Sequence, residues 1–156
     1  MRAAQFTTGR RFVLVMDHGE DFLPTLEKFC AEHQVHSGHI PTLIGGLSHA
    51  RLVGTCEPLE RPGEPLWDAV EVEYLEAVGG GTLALDPATG RLAPHIHLST
   101  GLKGDGAHAR TSHLLGATVQ FVAELVIEEI LRPTLIRPRS PDLFDVPLLT
   151  FAPSEE

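Results

Sequence analysis

The residues best equipped for chemistry lie in one short run, Pro94-His95-Ile96-His97-Leu98-Ser99-Thr100, followed by His113. In an extended strand, alternate side chains share a face. His95 and His97 therefore project together, while Ile96 and Leu98 face the other way. His113 returns after the glycine-rich stretch Gly101 to Gly106 and brings a third imidazole. Three neutral imidazoles are a ligand set for a catalytic zinc-type ion, with one position left for water or substrate. The pair alone carries little, because alternating histidines on a half-exposed strand also serve as structural or solvated residues.

A metal-assisted hydrolysis or lyase reaction needs a group that moves protons. Glu73 and Glu124 are the candidates, and Glu124 lies on the polar face of the strand after His113. Each reads equally well as a salt-bridged strand residue. His18 falls in a turn, and His33 at a helix end, where a protonated ring favours the dipole. His36 and His39 have opposite strand parity, so only one can face a site without a bulge. His39 is a candidate pocket residue, and His108 a candidate substitute ligand or lid residue. The chain shows no Ser-His-Asp order, P-loop or GxGxxG.

These side chains need strands to hold them. Arg11 to Asp17 is β-branched and apolar and reads as a buried strand, after a frayed segment 1–10. Asp21 is a fair N-cap for a helix that buries Phe22, Leu26 and Cys30 and runs to about His33. Val35 to Ile44 reads as a strand that Pro41 places at an edge or a bulge. Gly45-Gly46 permits a sharp bend before a second strand, Leu47 to Gly54. Glu57 to Pro65 is a proline-rich loop. Leu66 to Val78 reads as a strand cut off by Gly79-Gly80-Gly81. Thr82 to Leu85 and Arg91 to Thr100 form a hairpin around Asp86-Pro87-Ala88-Thr89-Gly90. Thr118 to Glu128 alternates, with Val119, Phe121, Ala123, Leu125 and Ile127 on one side. One helix and six or seven hairpin-connected strands predict a single α+β domain on an antiparallel sheet. Its boundaries are taken as 8–132. The Pro-rich tail 133–156 offers Leu143, Phe144, Val146, Leu148, Leu149 and Phe151 as anchors on the body or on a neighbouring subunit.

The totals exclude some functions. The chain has 156 residues and a formal net charge of −9, which argues against a nucleic-acid surface. Arg10-Arg11 and Arg132/Arg137/Arg139 read as ordinary solvated charges. Two cysteines without a CxxC make no disulfide framework, so Cys30 reads as a buried small hydrophobe and Cys56 as a strand residue. No apolar run suits a signal peptide or a membrane span, and a cytoplasmic setting is expected.

Taken together, several stretches resemble the PPC (plant and prokaryote conserved) domain family. They are Phe12-Val13-Leu14-Val15 with its Gly-Glu-Asp turn, Ser37-Gly38-His39-Ile40 leading to Ile44-Gly45-Gly46-Leu47, Val72-Glu73-Tyr74-Leu75, His95-Ile96-His97 and Ser112-His113-Leu114. The resemblance implies a curved antiparallel sheet with one main helix, usually assembled as a homotrimer. It implies that His95, His97 and His113 are ligands for Zn²⁺ or a similar ion, and that Glu73 matches an acidic family position. Thr111-Ser112 depart from two family glycines before the third histidine. The fold is also similar to that of acetolactate decarboxylase, a three-histidine zinc enzyme, an analogy that transfers no activity. The expectation is a metalloprotein, with lyase or hydrolase chemistry on a small carbonyl or carboxylate compound if it is an enzyme. The alternatives are a DNA-binding or regulatory module, for which the chain lacks an AT-hook, or a structural oligomer without catalysis.

Overall fold

The computed structural model describes residues 1–54, 69–143 and 145–153. The expected strand position of Cys56, the loop 57–65, the start of the next strand at 66–68 and Phe144 lie outside the described residues. The chain runs β1 (Thr7–Asp17), α1 (Phe22–Glu32), β2 (Gly38–Val53), β3 (Ala69–Leu83), β4 (His95–Leu102) and β5 (Ala109–Arg132). Four two-residue strands follow: β6 (Leu135–Ile136), β7 (Arg139–Ser140), β8 (Val146–Pro147) and β9 (Thr150–Phe151). This is a mostly antiparallel α+β domain with a single α-helix among the described residues.

The long strands lie in the order β1-β5-β2-β3-β4, all antiparallel, and β4 also pairs with the start of β5. That last pairing closes β2, β3, β4 and β5 into a ring. The inner face is apolar, as period-two burial requires. Met16, Leu43, Leu47, Leu75, Ile96, Leu98, Val119, Leu125 and Ile127 meet there, and α1 adds Phe22, Leu26 and Cys30. The spacing of those three helix residues places them on one stripe. Asp21 occupies the N-cap position but makes no side-chain cap bond, and the helix stops at His33.

Several sequence expectations are corrected. β1 begins at Thr7, because Glu129 accepts bonds from the Arg10 backbone and guanidinium and holds the strand's start down. β2 is central, with β3 on one side and β5 on the other, so Pro41 is not at an edge. The bulge alternative is what occurs: the register slips past Pro41 against both neighbours. Gly45-Gly46 is an irregularity within one continuous strand rather than a bend between two. β5 begins at Ala109, well before Thr118. Phe121 breaks the alternation, with φ at 67° and the residue 72% exposed.

The Gly79-Gly80-Gly81 run bears on the site. These glycines do not end β3. They lie in its ladder with β4, opposite Leu98, His97 and Ile96. A Cβ at Gly79 would strike the His97 carbonyl oxygen, and one at Gly81 the His95 carbonyl oxygen. The absence of side chains lets the histidine strand approach this closely.

The tail packs on the body. Leu135 is buried with Ala84 and Ile130, and Phe151 covers that cluster. The Leu135 N–H donates to Ser37 Oγ at 2.9 Å, and the Arg137 N–H to the Leu85 carbonyl at 2.8 Å.

Candidate metal centre

Strand pairing brings the three histidines together. His95 and His97 project from β4 on the face opposite buried Ile96 and Leu98. His113 on β5 stands directly across from His97. Ring centroids are 4.9 Å apart for His95–His97 and His95–His113, and 5.6 Å for His97–His113. One ligand atom from each ring lies within 4.8 Å of the others. The Nε2 atoms of His95 and His97 are 3.0 Å apart. Tetrahedral zinc with Zn–N near 2.0–2.1 Å places its donors about 3.3 Å from one another, so the set fits such an ion after small ring movements.

Thr111 and Ser112 do not disturb the third histidine. Both lie in the β4–β5 ladder, opposite Ser99 and Leu98. The Thr111 hydroxyl donates to Ser99 Oγ at 3.0 Å, and the Ser112 hydroxyl donates to the Val53 carbonyl. The hydroxyls anchor a path that the sequence alone left open.

Two of the rings, His95 and His113, are held neutral. Burial, aided by the positive charge of Arg137 and the neighbouring imidazoles, lowers the His95 pKa to about 4. Burial also lowers His113, with contributions from His97 and Arg137. At neutral pH these two rings therefore each carry one lone pair.

Arg137 is the neighbour of this cluster that the sequence did not point to. Rather than a solvated charge, it is 4% exposed. Its Nε donates to the Ala93 carbonyl at 3.0 Å, Nη2 to Thr82 Oγ1 at 2.8 Å, and Nη1 lies 3.1 Å from His95 Nδ1. Thr82 pairs directly with His95, so the guanidinium covers the end of the histidine face. No periodicity marks this position, and only the docking of the tail reveals it. Arg10 is likewise no free charge. It grips buried Glu129 through two nitrogens at 2.6 and 2.9 Å.

The carboxylate candidates lie elsewhere. Glu73 is exposed and pairs across β2 with His49. It sits seven residues along β3 from Gly80, the partner of His97, which is roughly 20 Å. Glu124 shares the outer face with the histidines. Paired residues run across the sheet as Val15, Glu124, Ile44, Val78 and Ser99. Three strand spacings put Glu124 about 14 Å from β4. Within one chain, neither reaches the rings. His39 pairs with Thr82 and so faces the same side as His95, two strands away. Its Nδ1 is buried without a partner. His108 is exposed in the β4–β5 turn beside Asp105 and stands outside the cluster.

Fold and site together define a small antiparallel-sheet domain with three clustered imidazoles on its outer face. A family model, the Plants and Prokaryotes Conserved (PCC) domain, matches residues 3–131, and the chain belongs to that family. No functionally curated protein matches it significantly. Among solved structures, a metal-containing protein from Archaeoglobus fulgidus is 24% identical with a TM-score of 0.77, covering 96% of this chain and 99% of that one. A PPC protein from Pyrococcus horikoshii is 22% identical with a TM-score of 0.74 and full coverage of both chains, 100%. Acetolactate decarboxylase from Bacillus subtilis is more distant, at 14% identity and a TM-score of 0.56 over 90% of this chain and 60% of that one.

Proposed function

We propose that this chain is a metalloprotein in which His95, His97 and His113 hold one zinc-type divalent ion. The observation that carries this reading is the convergence of three imidazole ligand atoms within 4.8 Å, on two directly paired strands. The Archaeoglobus relative, described as metal-containing, supports it. When bound, the ion would act as a Lewis acid on a small carbonyl or carboxylate compound, or would activate water. The protein's part is to keep His95 and His113 neutral, fix the rings by the β3–β4–β5 ladders, and leave one ion position open.

The same reading includes self-association as a homotrimer and a cytoplasmic setting. The outer sheet face exposes Val13, Val15, Ile44, Val78 and Phe121, an apolar area suited to cover by another copy. In such an assembly Glu124, placed in this area, would supply a carboxylate near the boundary between copies. Cys30 is a free buried thiol, as a reducing compartment allows. No helix among the described residues is long and apolar enough to cross a membrane.

Metal analysis of protein purified without a histidine tag tests the proposal. The expected result is about one zinc-type ion per chain, lost in H97A. Absence of metal, with unchanged stability in chelator, would refute it.

A second reading, DNA binding, rests on a Ralstonia eutropha neighbour named for suspected DNA binding, 21% identical with a TM-score of 0.73. The net charge of −9 opposes it. Salt-dependent binding to duplex DNA near physiological ionic strength would favour it over the metalloprotein alone.

A further inference from the structure

Arg137 lies beyond the segment the family model matches, which ends at residue 131. A guanidinium only donates hydrogen bonds. Its contact with His95 Nδ1 at 3.1 Å therefore requires the lone pair on that nitrogen. A neutral imidazole then carries its proton on Nε2, the atom facing His97 Nε2 at 3.0 Å. Metal-binding histidines ordinarily show the opposite arrangement. Their outer N–H donates to a carboxylate or carbonyl, which strengthens the ligand. Here the outer partner is a cation.

The charge balance points the same way. Buried charges are ordinarily paired, because desolvation is costly. The side-chain partners of Arg137 are a carbonyl, a hydroxyl and an imidazole, all neutral. Among the described residues, no carboxylate forms an ion pair with it. The cluster beside it is three histidines without an acid. A dication there would add positive charge beside a guanidinium that no carboxylate among the described residues pairs.

We propose that Arg137 makes this centre a receptor for a small carboxylate: for His95 Nε2 to hold an ion, its proton must leave or pass to Nδ1, which the guanidinium 3.1 Å away opposes, so the hold on a bare dication is weakened and an anionic ligand beside the ion is favoured. This rests on the metal-centre reading. Arg137 is a positioning and specificity residue, acting through His95 and through its charge, and it is not a ligand. The selected compound is negatively charged at the group that meets the ion. A neutral amide or ester of the same shape is disfavoured. The bound carboxylate offsets the charge that Arg137 and the ion share, so ion and anion stabilise each other's binding.

Two measurements on the tag-free full chain test this. In the metal-free protein, ¹⁵N NMR of the histidine rings is expected to show His95 with its proton on Nε2, a preference lost in R137M. In Co²⁺-loaded protein, visible absorption is expected to report binding of acetate and not of acetamide. R137M is expected to bind Co²⁺ at least about tenfold more tightly and acetate at least about tenfold more weakly, as removal of a nearby like charge requires. Should R137M fail to fold, R137K carries the test: its point charge no longer fixes the ring, and acetate binding loosens at least about threefold. A wild-type His95 protonated on Nδ1, or Co²⁺ and acetate affinities unchanged in the variants, would overturn the proposal. Absence of Co²⁺ uptake by the wild type overturns the metal-centre reading and the receptor with it, while the NMR result still decides the Arg137–His95 contact.

Discussion

At the scale of single residues, the site depends on which groups stay uncharged. His95 titrates at about 4 because burial and Arg137 oppose a further positive charge. A ring that stays neutral keeps its lone pair for a metal. Removing a ring removes a donor that no neighbour replaces, because the described cluster holds only His95, His97 and His113. H97A and H113A should each weaken Zn²⁺ by at least about 100-fold, measured by competition with a chromophoric chelator. Far from the site, Glu129 shows the opposite electrostatics. Hydrogen bonds from Arg10 pull its carboxyl from 4.5 down to about 2, against the effect of burial. The folded state therefore holds fewer protons on this group than the unfolded chain between those values. Its contribution is complete above pH 4.5 and lost as pH falls toward 2. Urea midpoints recorded from pH 5 to pH 2.5 should fall more steeply for the wild type than for E129Q. Parallel curves would show that the pair carries no pH-dependent stability.

At the scale of elements, the histidine strand works because its neighbours give it room and a floor. Leu98 is fully buried beneath His97, so L98A should cost about 2–5 kcal/mol by chemical denaturation. Gly79 gives the room. An added methyl would meet the His97 carbonyl and the Leu98 side chain, and neither backbone can withdraw without breaking the ladder. G79A should cost about 1–3 kcal/mol and also weaken metal binding, because the strand that moves is the one bearing two ligands. Equal stability of G79A and wild type would show that β4 can shift freely. The sequence made this element legible in part. Alternation over His95 to Leu98 placed the two rings on one face, and the burial of Ile96 and Leu98 agrees. The glycine triplet misled, because in sequence a glycine run resembles a terminator. Its neighbours across β2 and β4 are distant in sequence and show it to be a point of close crossing.

At the scale of the whole molecule, the sheet has one dry face and one wet face with too much apolar surface. Val15, Ile44 and Val78 share one cross-strand row and stand 54%, 45% and 57% exposed. Covering that row is the expected role of other copies. I44K should leave the monomer folded, since Ile44 contributes nothing to the inner core, and shift the mass seen by light scattering from trimer to monomer. A wild-type monomer at micromolar concentration would remove the assembly from the proposal.

By itself, the sequence determined what depends on local order. This includes the helix capped by Asp21 and His33, the shared face of His95 and His97, the buried Cys30, and a family pattern naming His113 as the third member. The first three follow from periodicity along the chain, and the last from the resemblance to the family. Tertiary structure decided what depends on contacts between distant segments. It set His113 across from His97, turned a glycine run into a crossing point, kept Glu73 and Glu124 away from the rings, and carried Arg137 from the tail to His95. Pairing across strands has no signature along the chain, because the energy of burying Arg137 is set by Thr82, Ala93 and His95, residues that meet it only when the tail docks.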